Sequence, residues 1–243
     1  MRALAFLLFS VLGFHAMAQV PYRISLRTDA PVYGASLAML GANAYLGSRL
    51  PGFTESELNA LTPPSLPAWE ALALNRWDEG AAKRSDVALF AAFGTAGMVL
   101  LAQTPKNAFV RDGLVLGSLW FQTNLSTLML TDLVKNSLRR NRPFVYNAQA
   151  PLIDRMESDA RKSFFSGHAS MTACNTFFAA KIWSDMHPNS KLKPWVWTAA
   201  AAVPAYAALQ RVQAGKHYPS DVIVGLAVGA AMGYLIPQIH LTR

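Results

Sequence analysis

Three short clusters hold most of the side chains in this sequence that can do chemistry. The first, "KNSLRRNRP", sets Lys135 ahead of Arg142, with Pro143 next. The second, "FFSGHAS", carries Ser166, Gly167 and His168. The third, "RVQAGKHYPSD", carries Arg211, His217 and Asp221. The planar fork of arginine matches phosphate oxygens bidentately, while lysine supplies a point charge. Ser166 and Gly167 come just before an apolar stretch, where a hydroxyl and free backbone N–H groups at a helix start point at an anion. Lys135, Arg142, Arg211, Ser166 and Gly167 together suit a doubly charged tetrahedral oxyanion.

His217 suits a nucleophile in that setting. Pro219 fits the first turn of a following helix, so Asp221 falls in the same turn and can reach back to one nitrogen of His217. That contact fixes the tautomer and leaves the other nitrogen to attack phosphorus. His168 is then available to protonate the leaving oxygen and later to activate water. Each residue alone has a plainer reading. A lysine or arginine at a helix end snorkels, a serine caps, and an aspartate near a helix start meets the dipole. The joint occurrence at compatible spacing argues for a site.

The elements that must position these clusters are helices. Stretches free of Asp, Glu, Lys and Arg run from Pro31 to Ser48, Val87 to Pro105, Gly113 to Thr131, Ser163 to Ala180, Pro194 to Gln210 and Val222 to Thr242. Each is long enough to cross much of a bilayer. No segment alternates with period two for long, so the fold reads as all-α, a multi-helix transmembrane bundle with five to six spanning helices. Only a polar loop separates the first two clusters. Two apolar stretches and the turn "SDMHPNSKLKP" separate His168 from Arg211, so two crossings bring the chain back to one face. Composition agrees: 52% of the 243 residues are hydrophobic and 15% charged, against about 25% charged in ordinary soluble domains.

The opening "MRALAFLLFSVLGFHAMAQ" has the pattern of a secretory signal ending at Ala18, with an uncleaved anchor as the alternative. Residues 1–18 are therefore assigned to a signal or anchor, 19–85 to an N-terminal helix and an extramembrane loop broken by Pro63, Pro64 and Pro67, and 86–243 to the core. The single cysteine, Cys174, forms no intrachain disulfide and reads as a buried thiol. The net charge of +8 does not point to nucleic acid, because seven of the 22 basic residues lie in 135–162 and others sit in short connections. His15, His187 and His240 are read as structural or surface residues.

The three clusters resemble the type 2 phosphatidic acid phosphatase (PAP2) superfamily, which also holds class A acid phosphatases and vanadium haloperoxidases. Its pattern is Lys, six residues, Arg-Pro; then Pro-Ser-Gly-His; then Ser-Arg, five residues, His, three residues, Asp. Phe165 and Gln210 depart from it, standing where proline and serine are usual. The resemblance implies a PAP2-type bundle and hydrolysis of a lipid phosphate or diphosphate through a phosphohistidine. His217 is then the nucleophile, Asp221 its orienting partner and His168 the general acid and base. Lys135, Arg142, Ser166, Gly167 and Arg211 hold phosphate, and no metal or cofactor is expected. The partners implied are a lipid phosphate and a membrane, the bacterial inner membrane with the site facing the periplasm. A cleaved leader plus a crossing at 31–48 would put the site in the cytoplasm by parity, so five spans with a mobile or peripheral helix at 31–48 are expected. The alternatives are a soluble periplasmic acid phosphatase, a vanadate-dependent haloperoxidase, and a lipid-binding protein without catalysis.

Overall fold

The computed structural model describes residues 20–242, so the leader expected at 1–18 lies outside the described residues. Six long helices carry the fold: α1 (Leu26–Gly47), α4 (Glu79–Gln103), α5 (Phe109–Leu138), α7 (Gly167–Met186), α8 (Lys193–Gln213) and α9 (Pro219–Ile239). Three short helices, α2 (Glu55–Ala60), α3 (Ala68–Ala71) and α6 (Leu152–Met156), belong to the connections. Among the described residues there is no strand, only an isolated bridge between Tyr22 and Leu241. The all-α expectation holds. Two of the six, α4 and α9, are long and apolar enough to cross a membrane by length and composition.

The other long helices bury polar side chains against one another. Between α5 and α7, Trp120 Nε1 donates to Asn175 Oδ1 at 2.7 Å, Asn175 Nδ2 to Asn124 Oδ1 at 2.8 Å, and the Thr131 and Ser170 hydroxyls meet at 3.2 Å. Thr127 Oγ1 donates to the sulfur of the buried Cys174 at 3.2 Å. Polar groups placed this way satisfy one another away from water.

α7 is the hub and touches α4, α5, α8 and α9. Its closest neighbour is α9, and glycine sets that distance. A Cβ at Gly225 would lie 2.7 Å from the Ser166 carbonyl oxygen, and one at Gly229 would fall on the Ser170 carbonyl. Small residues one turn apart let two backbones approach. The consequence is local to the chemistry: the start of α9 is pressed onto the start of α7.

The segment expected as a mobile or peripheral helix, 31–48, falls almost wholly within α1, which packs along α5 in the same direction. Tyr33 Oη meets Ser118 Oγ at 3.2 Å, Ser36 meets Ser126 at 3.1 Å, and Asn136 Nδ2 donates to Asn43 Oδ1 at 3.1 Å. α1 sits at the edge of the bundle, yet it lies along the length of α5. The helix also begins before the charge-free stretch, because the buried Asp29 is satisfied by Ser25 N at 2.5 Å and Gln122 Nε2 at 2.5 Å.

Two poles result. The ends of α1, α5 and α8 and the starts of α4, α7 and α9 share one pole. The opposite pole holds the 104–108 and 187–192 turns, the end of α9 and residues 20–25. There Arg23 N donates to His240 O at 2.9 Å, Thr242 N to Pro21 O at 2.9 Å, and Tyr22 Oη to Asp185 at 2.6 Å. At the first pole a small second core joins Phe53 and Leu58 to Phe144, Val145, Ala150 and Ala160. The N-terminal loop and the 143–161 segment thus form one cap.

Candidate active site

Each motif residue owes its place to a local device. α5 stops at Arg139, which adopts a left-handed conformation (φ 50°) with its N–H on Lys135 O at 3.2 Å. Arg140 and Arg142 follow that reversal, and Arg142 comes close enough to act on Lys135. α8 stops at a turn closed by Gly215, whose φ of +67° suits glycine, and a Cβ there would collide with the Arg76 carbonyl. Lys216 and His217 follow from this turn. Pro219 opens α9, and the Asp221 carboxylate accepts from Tyr218 N at 2.9 Å as an N-terminal cap. Ser166 caps α7, accepting from Ala169 N at 3.4 Å, while its own N–H bonds the Asp221 carbonyl at 3.0 Å.

The three clusters meet at one pole. His217 is 1% exposed, and Lys135, Arg142 and Arg211 are buried as well. Arg142 Nη1 lies 3.4 Å from His217 Nε2. A guanidinium only donates, so Nε2 is the lone-pair nitrogen and Nδ1 carries the proton. Nδ1 faces Asp221 Oδ2 at 3.6 Å, an electrostatic contact longer than a hydrogen bond. Burial, then Arg142, Lys135, Arg211 and His168, hold the His217 imidazole well below the ordinary histidine range. The ring is neutral, with its free lone pair aimed at the cations.

The phosphate-binding candidates are held but not saturated. Lys135 Nζ donates to Lys162 O at 2.8 Å. Arg142 Nε donates to Asp159 O at 2.9 Å, and its Nη2 pairs with Asp159 Oδ2 at 2.7 Å. Burial pushes the Asp159 carboxyl up, but Arg142 and Lys135 more than offset this and hold it below the usual range. Arg211 Nη1 meets Ser85 Oγ at 3.3 Å, while its buried Nε has no partner. A Cβ on Gly167 would be 3.7 Å from Thr131 Cγ2 and 3.9 Å from Lys135 Cε, ordinary contact within the chain.

Several partners escaped the sequence reading. Asp221 is fixed by Arg140 Nη1 at 2.5 Å and Ser163 Oγ at 2.5 Å. Arg140 in turn donates to the buried Glu70 at 2.6 Å, and Glu70 also accepts from Ser220 N at 2.7 Å. His168 Nε2 bonds Asp86 at 2.7 Å. Gln210, which stands where serine is usual, turns its amide oxygen to Arg84 Nε at 2.7 Å. The only sequence cues were faint: "RSD" at 84–86 closes the polar loop just before a charge-free stretch, and Glu70 is a lone acid in a proline-rich one.

Two of the remaining histidines face carbonyl oxygens of nearby backbone. His187 Nδ1 lies 2.9 Å from Trp183 O and His240 Nδ1 2.7 Å from Ile236 O, while His15 is outside the described residues. Among the described residues no group of three His, Cys, Asp or Glu side chains is placed to hold a metal ion.

Known proteins resemble parts of this chain. It is 33% identical over 142 residues to a protein of Rhizobium johnstonii named lipid A 1-phosphatase, covering 56% of this chain and 53% of that one. It is 29% identical over 128 residues to rat phospholipid phosphatase 1, 44% of this chain and 45% of that one. It is 28% identical over 107 residues to a decaprenylphosphoryl-5-phosphoribose phosphatase of Mycobacterium tuberculosis, 44% of this chain and 51% of that one. The chain thus spans about half the length of these relatives. A crystal structure of a transmembrane PAP2-type phosphatidylglycerolphosphate phosphatase from Bacillus subtilis overlays with a TM-score of 0.46 and 20% identity, over 87% of this chain and 95% of that one. A family model described as the PAP2 superfamily matches residues 114–243, more than half of the sequence and all three motifs, and the chain therefore belongs to the PAP2 superfamily.

Proposed function

We propose that this protein is a multi-pass membrane phosphatase that removes a terminal phosphate from a lipid phosphate or diphosphate through a phosphohistidine. The observation that carries this reading is the His217 ring: neutral, buried, with Nε2 3.4 Å from the Arg142 guanidinium and Nδ1 turned to Asp221. Lys135, Arg142 and Arg211, with the start of α7 at Ser166 and Gly167, hold the phosphoryl oxygens and stabilise the charge that develops on them. Nε2 attacks phosphorus, the bond to the leaving oxygen breaks, and His168 delivers a proton to that oxygen. Water then attacks the N–P bond's phosphorus while His168 takes its proton, releasing phosphate and restoring His217.

The membrane reading rests on apolar side chains exposed around the long helices, among them Phe90, Met98, Leu101, Phe121, Trp195 and Ile223. Soluble monomers rarely expose so large an apolar surface. A lipid keeps its tails there while its head group reaches the pole. Phosphatidate, phosphatidylglycerol phosphate, undecaprenyl diphosphate and the phosphates of lipid A are the candidate substrates, and the relatives' names support this class. The location is the bacterial inner membrane with the catalytic pole in the periplasm. Lys106, Arg111, Lys191 and Lys193 then lie on the cytoplasmic side, as positive charges do. Because α1 runs parallel to α5, this orientation keeps residues 20–25 cytoplasmic.

Purified protein offered a panel of lipid and soluble phosphates tests the activity. Phosphate release that disappears in His217→Ala and His168→Ala supports it, and undiminished release in His217→Ala refutes it. Release of the protein from cells without detergent favours a soluble acid phosphatase instead, and halide oxidation with added vanadate favours a haloperoxidase. For orientation, a periplasm-active reporter fused after residue 60 is expected to be active and one in the 187–192 turn silent; the reverse pattern overturns it.

A further inference from the structure

Asp86 belongs to none of the three motifs, yet its carboxylate bonds His168 Nε2 at 2.7 Å. It lies on the first turns of α4, beside Ser85, which bonds Arg211. The charged or titratable groups acting on His168 come from every side. They are Asp86 from α4, Arg211 from α8, Arg142 from the segment after α5, and His217 from the turn before α9. Asp86 alone among them is an anion. A third cation beside two guanidiniums is disfavoured unless a carboxylate balances it. The Asp86 side chain is also about half exposed, at 49%, so it is not needed to fill the core.

We infer that Asp86 is a positioning residue for proton transfer: it holds the Nε2–H of His168, so that Nδ1 is the nitrogen that gives the leaving oxygen its proton and later takes one from water. This rests on the reading of His168 as general acid and base. Among the described residues no side chain bonds Nδ1, so that nitrogen is free to exchange. In the first step His217 Nε2 bonds phosphorus, the phosphorus–oxygen bond breaks and the Nδ1 proton moves to the departing oxygen. In the second, water adds to phosphorus, the bond from phosphorus to His217 Nε2 breaks, and the water proton returns to Nδ1. Asp86 keeps its hydrogen bond throughout and exchanges no proton.

The leaving group provides the test. A nitrophenolate departs almost without protonation, whereas a phenolate gains much more from an acid. kcat/KM, which reports the steps up to departure, is measured for the full chain in detergent on p-nitrophenyl phosphate and phenyl phosphate. Asp86→Asn is expected to lose about tenfold or more on phenyl phosphate, within the range general acid catalysis supplies, and much less on p-nitrophenyl phosphate. Asp86→Glu should recover part of the loss. Retained nitrophenyl hydrolysis also shows that the variant is folded. Equal losses on both probes mean a merely structural role and overturn the inference. A skewed loss in His168→Ala with none in Asp86→Asn overturns it while leaving the reading of His168 intact. No skew in His168→Ala, or no hydrolysis of either probe by the unaltered protein, overturns the underlying reading as well.

Discussion

Glu70 accepts a hydrogen bond from Arg140 at 2.6 Å, although one lies in the proline-rich loop and the other just past the end of α5. The same guanidinium reaches Asp221 at 2.5 Å and stacks on the Tyr218 ring at 4.0 Å. A chain of charge therefore runs from Glu70 through Arg140 and Asp221 to His217, and the cap supplies its far end.

Removing that far end should be felt at both stability and turnover. Glu70→Gln weakens charge-assisted bonds to Arg140 and to Ser220, each worth about 1.5–3 kcal/mol when buried. We expect a lower unfolding temperature in detergent, and a fall in kcat with little change in KM, since the phosphate-holding cations are untouched. An unchanged unfolding temperature and unchanged kcat would show that Arg140 orients Asp221 without help.

Acid should destabilise the fold through His217. Its pKa in the folded protein lies well below the ordinary value, so the unfolded chain binds a proton that the folded one refuses. Stability is lost as pH falls below about 6.5, the ordinary histidine value. Unfolding temperatures followed from about pH 7.5 to about pH 5.5 should drop more steeply for the unaltered protein than for His217→Asn, which cannot titrate there. Parallel curves would contradict the buried, neutral ring.

Asp159 pairs with the Arg142 fork, its Oδ2 lying 2.7 Å from Nη2. Its carboxylate competes with any incoming anion for that cation. Asp159→Asn should therefore strengthen inhibition by inorganic phosphate severalfold, read as a lower inhibition constant. Weaker inhibition would mean that Asp159 is needed to hold Arg142 in place.

Close packing of α9 on α7 gives a steric test. Gly229→Ala drives a methyl group into the Ser170 backbone, a kind of overpacking that costs about 1–3 kcal/mol. Gly34→Ala in α1 meets nothing within 4 Å and should be neutral or stabilising, since alanine favours a helix over glycine by roughly 0.5–1 kcal/mol. Thermal unfolding of the two variants side by side decides this; equal behaviour would remove the argument for glycine along α9.

What the sequence made legible was whatever depends on short spacing. Pro219 and Asp221 lie within one turn of each other and of His217, so helix geometry alone sets their relation. The meeting of three clusters followed from counting crossings between them. Glu70, Ser85 and Asp86 were not legible, because each bonds a residue far away in the chain, and a single polar residue outside the motifs has no periodicity to betray such a partner. Helix limits shifted for a physical reason as well. α1 takes in Asp29 and α5 takes in Asp132 and Lys135, so an absence of charge marks apolar stretches but not where a helix stops.

The pairing of Tyr22 with Leu241 bears on how the molecule is made. Nearly the whole described chain separates the two partners, so a ribosome must deliver all six long helices before this clasp can close. The clasp at the pole remote from the chemistry therefore needs Leu241 to have been made, whatever the earlier helices have done by then.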